Sequence, residues 1–349
     1  MINVLAFSLG RLGGCVVYAT NIINNFSQPH TAIVSRYCNE NVPCAAVQVP
    51  TFRSMISFVF STLFYLPMLT LWLLPSLLRH RVYYFPYYHP WNPWFIACGK
   101  LLGKASVVTV HDAVFHPGEG TAIEQWLMDA SVKWAAKIIV LSMPVEVQLR
   151  QRIDSKLKIH VIPHGLIVPD GLICKPRQWQ AKPNIAFLGR VNAYKGVQLL
   201  VDAVAGLDDS EFDQLLIAGR HSVDIDYSGI PDQKKQIIDR WLEDGEIAAF
   251  ANQCHILALP YIEASQSGVA TIAIAANIPV IATRVGALPD QLKGGAIYCD
   301  ATVDGVRAAL CELIHSDLRY QECVSALINE QMELSWAQIA AQVEFVLCN

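Results

Sequence analysis

No aspartate or glutamate occurs between Glu40 and Asp112. Residues 1–111 contain seven lysines or arginines (Arg11, Arg36, Arg53, Arg79, Arg81, Lys100 and Lys104) against Glu40 alone, a balance of +6; the rest has nineteen against twenty-nine, a balance of −10. The net charge of −4 therefore conceals two unlike parts. The basic residues are sparse and separated by apolar stretches, which argues against a phosphate-tracking nucleic-acid stripe and for a basic, apolar surface turned to anionic lipid. The ten cysteines include no C-x-x-C pair and no regular framework, and the chain starts in the strand-like Ile2–Phe7 where a secretory leader would stand. Reduced thiols in a cytoplasm are the expectation, with Cys38 and Cys44 as a weak candidate pair. No G-x-G-x-x-G follows the first apolar run, which counts against a dinucleotide oxidoreductase. No short-period repeat or low-complexity tract is present. Metal-ligand spacing is confined to Asp224-Ile-Asp226, read as a solvated acidic loop, so no metal is expected.

What is present is a chain of 349 residues, long enough for two full cores. Short apolar runs alternate with helical patterns, as in parallel sheets with crossover helices. The runs in the first half lie at 2–7, 31–35, 45–49, 82–86, 106–110, 137–141 and 159–162. Pro163–Pro183, rich in Pro and Gly, reads as a linker. The second series has strands near 184–188, 213–218, 255–258 and 279–282, and helices near 196–205, 231–242, 246–252, 264–276 and 303–315. A last helix opens at Ser335, a plausible N-cap.

Met55–Leu78 carries no charge and is long enough to span a bilayer. Strand-like runs on both sides oppose that reading, because one crossing would divide a sheet between two faces of a membrane. Pro67 and Pro75 each remove a backbone donor. The expectation is a broken pair of helices lying in the membrane interface or partly buried on the sheet, with an ordinary core helix as the alternative. The aromatic run Tyr83–Phe95 that follows suits a headgroup level, a sugar-stacking surface or packing under a loop.

Two segments carry the chemistry. In Phe187–Gly196 an apolar strand ends at Gly189-Arg190, and Lys195 follows just before a helical pattern. Two cations therefore sit beside a helix start. In Pro260–Gly268 a glutamate, Glu263, precedes small polar residues and a glycine that open another helix, whose free N–H groups and positive end suit a phosphate. Strands of such sheets deliver ligands to their carboxyl ends; Arg190 and His111 follow strands there, as do Gly13 and Gly14.

These segments resemble the family 4 retaining glycosyltransferases, which have the GT-B fold. The likeness runs from Gly13-Gly14 through Thr109-Val-His-Asp112 and Val161-Ile-Pro-His-Gly165 to Ser335-Trp336. It implies two Rossmann-like doubly wound α/β domains facing a cleft: residues 1–165 for the acceptor and the membrane, 166–334 for a nucleotide sugar, and 335–349 crossing back. It further implies UDP- or GDP-sugar as donor, no cofactor, and a polyprenyl-diphosphate-linked saccharide acceptor in surface-polysaccharide assembly. Such an enzyme would sit in the cytoplasm on the inner face of the plasma membrane, its anionic surface met by residues 53–104. By the same resemblance Arg190 and Lys195 grip the diphosphate, Glu263 contacts the donor sugar, and the backbone of Ser265, Gln266, Ser267 and Gly268 receives the phosphate. His111 lies at the reaction centre, and Gly13 and Gly14 allow close approach of the diphosphate. His164 is read as a turn and linker feature. The family's second glutamate is replaced by Thr271, which puts ribose recognition in question and keeps a silent GT-B subunit open, beside a nucleotide-sugar epimerase.

Overall fold

The structure, a computed structural model, describes residues 3–11, 13–38, 46–115, 120–153, 157–264 and 266–349. The chain forms two compact units, residues 1–164 with 336–349 and residues 165–335. These divide one residue before and one residue after the boundaries expected from sequence.

In the first unit the elements are β1 (Val4–Ser8), α1 (Gly14–Asn24), β2 (His30–Ser35), β3 (Ala46–Val49), α2 (Met55–Phe60), α3 (Leu66–Arg79), β4 (Val82–Phe85), α4 (Asn92–Leu101), β5 (Ala105–Val110), α5 (Ala122–Trp134), β6 (Lys137–Val140), α6 (Met143–Arg150) and β7 (Lys158–Val161). The second contains β8 (Ile185–Leu188), α7 (Val197–Ala205), β9 (Leu215–Ala218), β10 (Lys235–Ile238), α8 (Asp244–Gln253), β11 (Ile256–Leu259), α9 (Gly268–Ala276), β12 (Val280–Thr283), α10 (Leu288–Leu292), β13 (Ala296–Cys299), α11 (Val303–Ile314) and α12 (Asp317–Glu333). A final helix, α13 (Trp336–Cys348), belongs to the first unit.

The sheets run β3-β2-β1-β4-β5-β6-β7 and β10-β9-β8-β11-β12-β13, with parallel pairings. Central strands such as Ile185–Leu188 and Ile256–Leu259 are apolar and buried along their whole length, because helices cover both faces of a doubly wound sheet. Strand order reverses at β1/β4 in one sheet and at β8/β11 in the other. Chains diverge from those points in opposite directions, so each leaves a crevice at its carboxyl edge. α13 is fastened to its unit by the Glu344 carboxylate, which accepts from Ser27 Oγ at 2.7 Å and from the Gln28 N–H at 2.6 Å.

Four expectations change. The segment 231–242 is not a helix: a 3-10 turn, Asp232–Lys234, leads into β10, which pairs with β9 at the sheet edge. Ile237 and Ile238 with Trp241 and Leu242 imitate helical spacing, but the edge of a sheet offers the β-branched pair a hydrogen-bonded partner. β13 and the long α12 were not anticipated. The apolar run is not a broken pair, for Ile56–Arg79 is one unbroken helical run of 24 residues. Pro67 falls just behind a π-helical turn, Ser61–Tyr65, whose wider spacing accommodates a residue without an N–H. Finally, most of the aromatic run is core: Tyr83, Tyr84, Phe85, Trp91 and Phe95 are all buried, and Trp94 is the large exposed ring.

The run Ile56–Arg79 is long and apolar enough to cross a membrane by length and composition. One face, Leu66, Leu69, Leu73 and Leu77, enters the core of the first unit. The other presents Phe60, Leu63, Phe64, Met68, Leu71 and Trp72, each more than 60% exposed. With only 17% of its apolar window buried, the run is not an ordinary core helix.

Candidate active site

In the second unit the two chemistry-bearing segments meet at the β8/β11 crevice. β8 ends at Gly189, whose φ of +121° is open to glycine and whose N–H donates to the Ala218 carbonyl at 2.9 Å. A Cβ on Gly219 would lie 2.1 Å from the Gly189 carbonyl oxygen, so two glycines let these strand ends touch. Arg190 follows directly and is exposed at the carboxyl edge.

From there a 3-10 turn, Ala193–Lys195, leads to Gly196, left-handed at φ +63° and ψ +26°, which caps α7. A Cβ at Gly196 would sit 1.9 Å from the Pro260 carbonyl oxygen. The Ile262 N–H donates to the Tyr194 carbonyl at 2.7 Å, and Lys195 Nζ lies 3.6 Å from the centre of the Tyr261 ring. Backbone contact, a hydrogen bond and a cation–π contact thus join the arms, and the ring face holds the ammonium without neutralising it.

The second arm is braced from β12. Thr283 Oγ1 donates to the Tyr261 carbonyl at 2.5 Å, and a Cβ on Gly286 would come within 1.5 Å of the Ala264 carbonyl oxygen. Glu263, between these fixed points, is exposed. Ser267 caps α9, its hydroxyl accepting from the Ala270 N–H at 3.3 Å. α9 therefore begins at Gly268 rather than 264, and the residues before it form the loop of the site. Ser267 is 2% exposed and its N–H is already given to Gln291 Oε1 at 2.9 Å, so Gly268 and Val269 are the donors that open α9 toward the crevice. Gln266 has a buried Oε1 without a partner among the described atoms; Ser265 lies outside the described residues, as does Cys44. Thr271 is 1% exposed, and its hydroxyl accepts from the Ile167 N–H at 3.2 Å and donates to the Gly268 carbonyl at 2.7 Å. It is committed to backbone.

In the first unit Gly13, at φ +103°, and Gly14 open α1, and a Cβ on either would meet no atom within 4 Å. Loops after β1 and β4 are tied by Tyr87, whose hydroxyl accepts from the Gly10 N–H at 2.6 Å and lies 3.1 Å from Ser8 Oγ. His111 follows β5 and is partly exposed. Its Nε2 is 3.0 Å from the Pro86 carbonyl and its ring meets Tyr18 edge-on, centroids 4.8 Å apart. Burial pulls its pKa down, but Cys15, the Pro86 carbonyl and Asp112 outweigh that and leave it raised. His164 is buried, packed on Tyr18 and on Trp336 of α13, so it has a core role beyond a turn.

Asp224 and Asp226 are exposed, and Asp226 Oδ1 accepts from the Ser228 N–H at 2.9 Å in its own turn. Among the described residues the group with ligand atoms close enough for a metal is Glu211, Cys311 and His315, at the amino edge of the second sheet. Sequence reading missed Tyr18, Asn92 and Gln291. Tyr261 stood inside a quoted segment, but Gln291 gave no signal, because its partner is a backbone group 24 residues away.

Two parallel doubly wound units, one presenting cations and a helix start on joined loops, define a glycosyltransferase of the GT-B type. A family profile described as Glycosyltransferase Family 4 matches residues 12–168, and one described as Glycosyl transferases group 1 matches residues 182–316. Taken together, the two matches make this chain a glycosyltransferase of the GT-B type, similar to family 4. A D-inositol 3-phosphate glycosyltransferase of Corynebacterium glutamicum (strain R) is 30% identical over 178 residues, 46% of this chain and 41% of that protein; the match thus spans about two fifths of the relative's length. In structure the chain is similar to sucrose-phosphate synthase from Thermosynechococcus elongatus, at TM-score 0.75 and 14% identity over 99% of this chain and 98% of that one. It is equally similar to Anabaena HepE in complex with UDP, at TM-score 0.75 and 12% identity over 99% of both.

Proposed function

We propose that this chain is an active retaining glycosyltransferase. It moves a hexose from a nucleotide-diphosphate sugar to a lipid-linked saccharide on the cytoplasmic face of a bacterial inner membrane, in surface-polysaccharide assembly. The observation that carries the transfer reading is the junction of Tyr194–Gly196 with Pro260–Ile262, which holds Lys195 beside the carboxyl edge from which Arg190 projects. As the bond between sugar and phosphate lengthens, negative charge grows on the leaving diphosphate. Arg190 meets it as a planar fork and Lys195 as a point charge, with the opening N–H groups of α9 adding a fixed dipole. Glu263 takes sugar hydroxyls. The leaving phosphate accepts the acceptor's proton on the same face, which preserves anomeric configuration. No metal is needed where two cations perform the neutralisation.

A uridine donor is the first choice, supported by the similarity to a protein solved with UDP. The test is the melting temperature of the purified chain with a panel of UDP- and GDP-sugars, since a ligand of the folded state at about 100 times its Kd adds about 2.7 kcal/mol. A rise with UDP-sugars alone is the expected result; no rise with any nucleotide sugar would overturn the donor assignment. The silent-subunit reading draws on Thr271, whose buried hydroxyl leaves no side chain at that position for a ribose.

The lipid-linked acceptor is supported by the exposed face of Ile56–Arg79 with exposed Arg53, Arg79, Arg81 and Lys100 around it. Large apolar residues beside cations suit the boundary between acyl chains and anionic headgroups. Leu71→Asp with Trp72→Asp is expected to lower co-sedimentation with phosphatidylglycerol vesicles at least tenfold. Unchanged binding by this pair would remove the membrane assignment.

A further inference from the structure

Glu211, Cys311 and His315 bring a carboxylate, a thiol and an imidazole together at the amino edge of the second sheet, the end opposite Arg190 and Lys195. The transfer reaction has no use for them there. One ligand atom from each lies within 4.8 Å of the other two. Cys311 stands in the last turn of α11 and His315 is its C-cap. The His315 N–H donates to the Cys311 carbonyl at 2.9 Å, so helical spacing continues through residue 315 and puts both side chains on one face. Trp179 holds this turn in place, its Nε1 donating to the Ile314 carbonyl at 3.0 Å.

Glu211 comes from the connection between α7 and β9, where its N–H donates to the Asp208 carbonyl at 2.9 Å. The Asp208 N–H donates in turn to Glu211 Oε2 at 2.7 Å. That bond orients the carboxylate and leaves Oε1 toward His315, whose Nε2 is 2.7 Å away. Metal sites commonly brace a ligand from behind in this way. An ion pair between His315 and Glu211 has no need of a thiol. A thiol and an imidazole one helical turn apart, with a carboxylate from a second segment facing them, match the ligand set of zinc.

We propose that Glu211, Cys311 and His315 bind one Zn²⁺, with water as the fourth ligand. Thiolate and carboxylate together neutralise the dication, and the imidazole stays neutral. The thiol proton passes to solvent and the imidazole hydrogen is moved to Nδ1, which frees the Nε2 lone pair for the metal. Zinc bonds of about 2.0–2.2 Å set nitrogen and oxygen ligands about 3.3 Å apart, so Nε2 and Oε1 must separate by roughly 0.6 Å. His315 is exposed and can supply this by rotation, whereas Glu211 and Cys311 are partly buried. Zinc therefore enters from solvent and exchanges with it. Bound there, it ties the end of α11 to the connection before β9 and stabilises the second unit. The inference is independent of the proposed donor and acceptor.

The experiment is titration of the full reduced chain, first freed of metal by a chelator, with Co²⁺ and then Zn²⁺. One cobalt per chain is expected, with a thiolate-to-cobalt charge-transfer band that one equivalent of zinc removes. Zinc should also raise the melting temperature of the metal-free chain. Cys311→Ser is expected to abolish the band, and Cys174→Ser, which alters another exposed thiol, to keep it. His315→Gln and Glu211→Gln are each expected to weaken cobalt binding at least tenfold. Thiol labelling of the buried Cys254 and Cys323 reports any unfolding of a variant. Absence of the band in the unaltered chain would overturn the proposal without any variant. A band that survives Cys311→Ser, or an affinity indifferent to both His315→Gln and Glu211→Gln in folded chains, would overturn it as well.

Discussion

Arg190→Ala is expected to cut turnover about 10²- to 10³-fold, the usual consequence of deleting one donor that meets charge developing in a transition state. Melting temperature should change little, because the side chain is exposed at a strand end and removal of such a group rarely moves stability by more than about 0.5 kcal/mol. The same substitution should abolish the thermal shift produced by the preferred nucleotide sugar. Arginine's planar fork binds two phosphate oxygens at once, so Arg190→Lys should recover only part of the loss. Turnover and nucleotide-induced shift both indifferent to Arg190→Ala would remove it from the site.

Gly196→Ala has the opposite signature, a loss of fold before a loss of chemistry. The residue adopts left-handed φ and ψ, which costs a residue with a Cβ about 1–2 kcal/mol. The added carbon would also press on the Pro260 carbonyl from 1.9 Å, and backbone cannot yield as a flexible side chain does. We expect about 3 kcal/mol of destabilisation in urea unfolding, with the nucleotide shift weakened because the two arms are forced apart. Gly196→Asn distinguishes the causes. Asparagine tolerates the left-handed conformation but still has a Cβ, so it should rescue little. Gly245→Ala, where a Cβ would meet nothing, serves as the neutral control. Full stability in Gly196→Ala would mean that the arms are not in contact there.

Much of this could be read from residues. Gly189-Arg190 at the end of an apolar run, and Lys195 before a helical pattern, place two cations at a carboxyl edge in any parallel α/β sheet. Ser267 and Gly268 marked a helix start, although the extended stretch before it was read as helix. Apolar residues from Ile272 to Ile274 allowed either extent, and the cap decides it through one hydrogen bond to Ala270. The segment 231–242 was misread because two apolar pairs four residues apart fit a helix as well as a strand end; pairing with β9 settles the choice, and that partner is invisible in a local window.

The amino-acid sequence by itself determined the two-unit α/β order, the charge imbalance of the first 111 residues and the identity of the cations, since periodicity, composition and residue type are local properties. Tertiary structure alone decided which of those groups are usable. It committed Thr271 and the Ser267 N–H to internal bonds, sent the rings of Tyr83–Phe85, Trp91 and Phe95 into the core, and left one face of Ile56–Arg79 bare. Burial and hydrogen-bond partnership depend on what arrives from distant segments, and one strand's register or one glycine's missing Cβ is enough to change both.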